Sequence, residues 1–142
     1  MARRPGKRGD FAEAQSAFVG AALALDSIHA AYGYRCAFTG ADLRAEATAD
    51  PVLPLLRLVP SGDVSPTTAI PACADAIYAY ERGHLALGSR LEFLVALDRI
   101  APELLGILNP IGRLSPPSDP AFLPNAALLK AHREEFAEGF ID

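Results

Sequence analysis

Hydrophobic positions in the first part of the chain recur at the spacing of a helix. Intervals of three and four residues predict a helix over residues 10–32. Asp10 followed by Glu13 resembles a capping box at its start, and Gly33 is suited to end it. The apolar face of this helix is made of Phe11, Ala14, Phe18, Ala21, Leu25, Ile28 and Tyr32.

The middle of the chain alternates short apolar runs with turn-forming residues. The pattern predicts, in order, a short strand and turn over 34–40, loop over 41–54, a strand over 55–59 and loop over 66–71. A helix is then predicted over 72–82, because its composition favours helix and Gly83 follows.

The last part of the chain predicts a hairpin and two helices. Gly88-Ser89, flanked by apolar runs at 84–87 and 91–97, is typical of a tight two-residue turn. Pro102 opens a helix ending near Asn109-Pro110, and Asn125 caps another running to about Glu138. The order helix, strands, helix, hairpin, two helices indicates an α+β fold, with a single domain over 10–142.

Composition narrows the class of protein. The chain has 142 residues, of which 51% are hydrophobic, so it is long enough to bury a core. Its longest uninterrupted apolar run, Ala17 to Leu25, is about half of what spans a bilayer, so no membrane association is expected. Two cysteines are too few for a disulfide scaffold. A cytoplasmic protein with reduced thiols is expected.

Charge is distributed unevenly along the chain. Residues 1–9 carry four basic groups and no acid, which leaves 9 basic and 17 acidic residues in the remainder. An acidic body argues against a broad nucleic-acid surface, whereas a local cationic patch remains compatible with it. Residues 1–9 are expected to form a flexible basic arm, either simply solvated or binding phosphate.

Three segments, taken in order, resemble a known family. They are Tyr34-Arg35-Cys36-Ala37-Phe38-Thr39-Gly40, Leu56-Arg57-Leu58-Val59-Pro60, and Ala69-Ile70-Pro71-Ala72-Cys73 leading to Tyr80-Glu81-Arg82-Gly83-His84-Leu85. They are similar to the motifs of the HNH endonuclease superfamily, in its restriction-enzyme-like branch. Asp119-Pro120-Ala121 and His132-Arg133 resemble the C-terminal extension of that branch, so the likeness covers about residues 11–137.

The resemblance implies a ββα core that holds one divalent metal, with a histidine as general base on a water molecule. In this chain the position of the base is occupied by Arg57, and Leu56 precedes it where relatives often carry a ligand. The position of the family's asparagine falls on Thr68 and that of the helix ligand on Ile77. Arginine stays protonated near neutral pH, and leucine and isoleucine have no lone pair for a metal. The motif therefore predicts a degenerate site with no catalytic residue, metal or cofactor.

Other residues are candidate replacement ligands. His29 is expected at the surface or at a helix end, and His132 is expected to be structural. His84 is the histidine closest to the motif, and Asp63, Asp75 and Glu81 are the nearest carboxylates, but no metal-ligand spacing links them. Cys36 and Cys73 make at most half of a zinc site and are expected to be small buried side chains.

These observations favour a catalytically inactive module that binds double-stranded DNA or regulates another protein. Arg44 is a further candidate for a phosphate contact if the fold brings it to the same face as Arg57. The residues predicted to contact nucleic acid are Arg3, Arg4, Lys7, Arg8, Arg35, Arg57 and Arg82. One alternative is a structural subunit that forms a homodimer or pairs with an active enzyme without binding nucleic acid. A weaker alternative is a metal-dependent endonuclease whose ligands have moved.

Overall fold

The protein has an α+β fold of short elements, as the sequence predicts. A computed structural model describes residues 24–46, 53–59 and 64–137. Within these ranges the helices are α1 (24–31), α2 (Leu43–Glu46), α3 (Ala74–Glu81), α4 (Pro102–Ile107) and α5 (Ala126–Glu135). The strands are β1 (Leu55–Arg57), β2 (Ala69–Pro71), β3 (Leu85–Leu87) and β4 (Phe93–Val95), and a 3₁₀ turn covers Pro120–Phe122.

The described part of the first helix ends where the sequence predicts. Gly33 has a φ of 67° and its N–H donates to the carbonyl of Ala30 at 3.0 Å. Tyr34 continues the left-handed turn with a φ of 59°. Gly33 therefore ends α1 in the left-handed conformation that glycine adopts most easily. The predicted capping box at Asp10 and Glu13 lies outside the described residues.

Residues 35–42 form a tight reversal, here called the knuckle. Its only strand-like pairing is the isolated bridge between Arg35 and Asp42, so the predicted strand at 34–40 is wrong and the predicted turn is right. The N–H of Gly40 donates to the carbonyl of Cys36 at 2.8 Å, and Gly40 has a φ of 81°. The expectation of loop throughout 41–54 is also wrong, because α2 follows the knuckle directly.

The strands β1 and β2 pair in antiparallel register, with Leu56 opposite Ile70 and Arg57 opposite Ala69. The loop predicted over 66–71 therefore contains a strand. All three residues of β2 are buried, so this strand lacks the alternation of polar and apolar residues by which half-buried strands are recognised. The predicted strand at 55–59 is confirmed as the shorter β1. Two residues separate β2 from α3, which produces a compact β1–β2–α3 unit.

The hairpin β3–β4 turns through three residues instead of the predicted two. The N–H of Gly88 donates to the carbonyl of Glu92 at 2.8 Å, and that of Leu91 donates to the carbonyl of Gly88 at 2.9 Å. Leu91 has a φ of 63°, the left-handed conformation typical of the third position in such loops. Since leucine is rare in that conformation, the sequence carries no signal for this loop.

A single hydrophobic core connects these elements. Phe38 of the knuckle is fully buried and lies 5.9 Å, between ring centroids, from Phe93 of β4 and 6.5 Å from Tyr80 of α3. The knuckle is also bonded to β2, because the N–H of Ala37 donates to the carbonyl of Pro71 at 2.9 Å. Packing around Phe38 thereby fixes the knuckle, α3 and the hairpin relative to one another.

The C-terminal helix closes the core on the side of α3 and β3. Asn125 caps α5 as predicted, since its side-chain oxygen accepts hydrogen bonds from the N–H groups of Ala127 and Leu128. The ring of His132 stacks on that of Tyr80, with centroids 3.6 Å apart, and its Nε2 lies 2.6 Å from the carbonyl oxygen of Tyr80. The structural role predicted for His132 matches this packing.

Acidification is expected to destabilise the protein partly through His132. Burial lowers the pKa of His132 below its ordinary value of 6.5, and its Nδ1 is buried with no hydrogen-bond partner. A lowered folded-state pKa means that the unfolded chain binds the proton more readily. The contribution of His132 to stability is therefore present above about pH 6.5 and is lost as the pH falls below it. Urea unfolding of wild type and His132→Phe between pH 7 and 5 tests this. The variant should show the shallower pH dependence, and equal slopes would contradict the assignment.

Among the described residues, no helix is long and apolar enough to cross a membrane.

Candidate nucleic-acid interface

The candidate site lies on the β1–β2–α3 unit. In β1, Leu56 is fully buried while Arg57, the last residue of the strand, is exposed. Side chains alternate along a strand, so Arg57 projects from the face opposite to Leu56. The position that the family motif gives to a general base is thus an exposed guanidinium at the end of a short strand.

The two apolar motif positions are used for packing. Leu56 belongs to the core, and Ile77 of α3 is half-buried against it. Neither side chain has an atom that binds a cation. Within the part of the chain that the structure describes, no group of three or more His, Cys, Asp or Glu side chains is arranged to hold a metal.

Thr68 stabilises the turn that precedes β2. Its Oγ1 accepts a hydrogen bond from the N–H of Ser65 at 3.0 Å and lies 3.0 Å from the Ser65 hydroxyl. The N–H of Leu58 donates to the carbonyl of Thr68 at 2.8 Å, which extends the β1–β2 ladder by one bond. The position given to the family's asparagine therefore shapes the connection beside Arg57.

The predicted arginines occupy different parts of the unit. Arg35 is exposed, and its guanidinium donates to the carbonyl of Gly40 at 3.0 Å across the knuckle. Arg82 is the C-cap of α3, and the knuckle contacts the opposite end of that helix through the Cys36–Cys73 hydrogen bond. No hydrogen bond or ion pair between described residues joins Arg35 to Arg82.

Arg44 is held by local partners. Its guanidinium carbon lies 4.4 Å from the centroid of the Tyr34 ring, and its Nε is 3.9 Å from a carboxylate oxygen of Asp42. The arm residues Arg3, Arg4, Lys7 and Arg8 lie outside the described residues, as does Asp63.

The two cysteines contact each other beneath the knuckle. Cys36 is fully buried, Cys73 is 7% exposed, and the N–H of Cys73 donates to the sulfur of Cys36 at 3.2 Å. Hydrogen bonds from the Cys73 thiol and the Thr39 hydroxyl lower the pKa of Cys36, although burial opposes this. The Cys73 thiol donates its hydrogen to the Cys36 sulfur, and this raises the pKa of Cys73. The expectation of small buried side chains is confirmed, and the contact between them was not foreseen.

The remaining candidate ligands are dispersed. His29 was expected at the surface or at a helix end; it lies near the end of α1 and is only 4% exposed, so the helix-end alternative is the one that holds. Burial lowers its pKa. His84 is half-buried at the start of β3, and Asp75 and Glu81 are exposed on α3.

One candidate binding residue was not predicted from the sequence. Tyr78 is 54% exposed, and the guanidinium carbon of Arg82 lies 4.7 Å from the centroid of its ring. The spacing of four residues between Tyr78 and Arg82 on a predicted helix was the available signal.

The chain was compared with known protein families, curated proteins and solved structures. No model of a known protein family matches the chain, and no curated protein matches it. A solved structure does match. It is described as a modification-dependent TagI restriction endonuclease, with a TM-score of 0.51 and 15% sequence identity.

The match covers 80% of this chain and 37% of the TagI chain, so the protein spans little more than a third of that neighbour's length. At this identity the likeness concerns the fold alone. The protein therefore shares an α+β fold with part of a restriction endonuclease.

Proposed function

We propose that this protein is a catalytically inactive HNH-nuclease-like module that binds double-stranded DNA. The observation that carries the proposal is Arg57, an exposed cation at the motif position of the general base, on a fold that is similar to part of a restriction endonuclease. The order β1–β2–α3 is the order that the resemblance implies for a ββα core.

Loss of catalysis follows from the chemistry of the motif positions. A general base must accept a proton near neutral pH, and a guanidinium that is always protonated does not. Hydrolysis by a metal-bound water also requires ligands with lone pairs, which Leu56 and Ile77 lack. The packing of both residues against the core leaves them a structural role.

Binding is proposed to use phosphate contacts. Arg57 offers a planar, permanently charged group with several N–H donors, which matches phosphate geometry. One phosphate contact gives a salt slope of only about −0.9, so Arg57 alone accounts for weak binding. The arm at residues 1–9, with Arg3, Arg4, Lys7 and Arg8, is proposed to supply further contacts from outside the domain over 10–142. Arg35 and Arg82, both exposed, are proposed to supply further phosphate contacts.

Reversing the charge at Arg57 tests the proposal. Titration of a fluorescent DNA duplex at increasing KCl should show binding that weakens steeply with salt. Arg57→Glu is expected to weaken it about fivefold or more and to reduce the salt slope by about 0.9.

The matched control is Arg99→Glu, which makes the same change of charge at another exposed arginine, beside Asp98. Deleting residues 2–8 should reduce the slope further. Equal affinity of wild type and Arg57→Glu, or no binding at low salt, would contradict the proposal.

The alternative, a subunit that self-associates or pairs with an active enzyme, is favoured by one observation. Several large apolar side chains on and around α4 are exposed: Leu97, Leu105, Ile107 and Ile111. Exposed apolar side chains that form a contiguous patch are typical of protein interfaces. A stable dimer by light scattering, together with no DNA binding, would favour this alternative.

A further inference from the structure

An aromatic and cationic cluster lies at the C-terminal end of α3. It consists of Tyr78, Arg82 and His84, and is here called the Tyr78 cluster. The guanidinium carbon of Arg82 lies 4.7 Å from the centroid of the Tyr78 ring, and the ring of His84 meets it edge-on at 6.2 Å. With 54% of its surface exposed, Tyr78 retains ring surface that neither neighbour covers.

The backbone holds these three side chains in place. Tyr78 and Arg82 are four residues apart, so they lie on the same side of α3, and the N–H of Arg82 donates to the carbonyl of Tyr78 at 3.1 Å. Gly83 then turns the chain with a φ of 76°, and the N–H of His84 donates to the carbonyl of Ala79 at 2.8 Å. The cluster is therefore positioned by a helix end and a closed turn.

Arg82 differs from Arg44, the arginine that lies over the ring of Tyr34. Among the described residues, ion pairs join Arg44 to Asp42 and Arg99 to Asp98, and none involves Arg82. In the Tyr34–Arg44 pair, the tyrosine hydroxyl also donates to Asp26 at 3.0 Å. Carboxylates of the protein thus contact both members of the Tyr34–Arg44 pair, whereas no carboxylate in the described part of the chain forms an ion pair with Arg82.

We propose that the Tyr78 cluster stacks one unpaired base of single-stranded DNA on the Tyr78 ring, with the Arg82 guanidinium on the adjoining phosphate. The inference rests on the proposed DNA-binding function. It adds a second site, which binds single-stranded instead of double-stranded DNA. Bases inside a duplex have both faces covered by their neighbours, so only an unstacked base can lie on an exposed ring. Aromatic rings combined with arginine cations are the usual means of binding single strands without sequence preference.

Tyrosine variants separate stacking from charge. Anisotropy of a labelled oligothymidine of about 12 nucleotides, at low salt, is compared for wild type, Tyr78→Phe and Tyr78→Ala. Removing the ring is expected to weaken binding about five- to tenfold, while phenylalanine, which keeps the ring, should bind as wild type does. Binding of a blunt duplex should change by less than about twofold in Tyr78→Ala, because a base pair has no free face to stack. Thermal unfolding confirms that each variant is folded.

Tyr34→Ala is the matched control, since it removes the ring of another tyrosine that pairs with an arginine. Unchanged oligothymidine affinity in Tyr78→Ala, or equal weakening in Tyr34→Ala, would overturn the inference and leave the duplex function intact. Single-strand binding that depends on Tyr78 without any duplex binding would overturn the duplex function and support the cluster. Absence of binding to both forms would overturn both.

Discussion

Replacing Gly83 by alanine is expected to lower the free energy of unfolding by about 3 kcal/mol or more. Two independent effects add at this position. Gly83 has a φ of 76°, which costs any residue with a Cβ about 1–2 kcal/mol. A Cβ at Gly83 would also overlap the ring of Phe136, just beyond α5, so the ring or the turn has to move. Urea unfolding at pH 7 measures the loss.

Two other glycines separate these effects. Gly33 has a φ of 67°, and the space that a Cβ would occupy there is open, so Gly33→Ala should show the conformational cost alone. Gly106 lies in α4 with neither restriction, and alanine there should stabilise by about 0.5–1 kcal/mol. If Gly83→Ala were no worse than Gly33→Ala, the contact between Phe136 and the turn would be wrong.

The contact at Gly83 matters because it joins α5 to the end of α3. Phe136 lies 5.1 Å, between ring centroids, from His132, which in turn stacks on Tyr80 of α3. A change at Gly83 is therefore expected to loosen the helix end that carries Arg82.

Exchanging Asn109 for aspartate is expected to destabilise the protein by about 2–4 kcal/mol. The side-chain nitrogen of Asn109 lies 2.8 Å from the carbonyl of Ala37, 3.0 Å from that of Arg113 and 3.1 Å from the hydroxyl of Ser115. An aspartate has no N–H to donate and would place a negative charge against two carbonyl oxygens. The knuckle would lose this side-chain bond to the loop after α4 and keep only the backbone bonds that Asn109 and Ser115 donate to it. The midpoint of thermal unfolding measures the effect.

The same exchange at Asn125 provides the control. There the side-chain oxygen accepts N–H groups at the start of α5, and aspartate performs that role as well as asparagine. Asn125→Asp is expected to be neutral or slightly stabilising. Equal destabilisation at both positions would contradict the roles given to the two amides.

Elements with a strong local signal were predictable from the sequence. The cap at Asn125, the glycine that ends α1 and the helix before Gly83 all depend on short-range rules of backbone conformation. The strand β2 was not predicted because it is buried on both faces. The length of the hairpin loop was not predicted because leucine occupies its left-handed position.

The sequence motif predicted which positions along the chain belong to the candidate site. It did not predict how their side chains are arranged in space. The motif identified Arg57, and the structure describes it as exposed at the end of β1. The contact between Cys36 and Cys73 joins residues that are distant in the sequence, and no local pattern encodes it.

The central claim is that the β1–β2–α3 unit binds duplex DNA without cutting it. The most direct measurement incubates the full chain with an end-labelled duplex in Mg²⁺ or Mn²⁺ at low salt. One half of each sample is run on a native gel and the other on a denaturing gel. The account predicts a retarded duplex whose strands remain intact with both metals. Strand cleavage that His84→Ala abolishes, or a duplex that is never retarded, would contradict it.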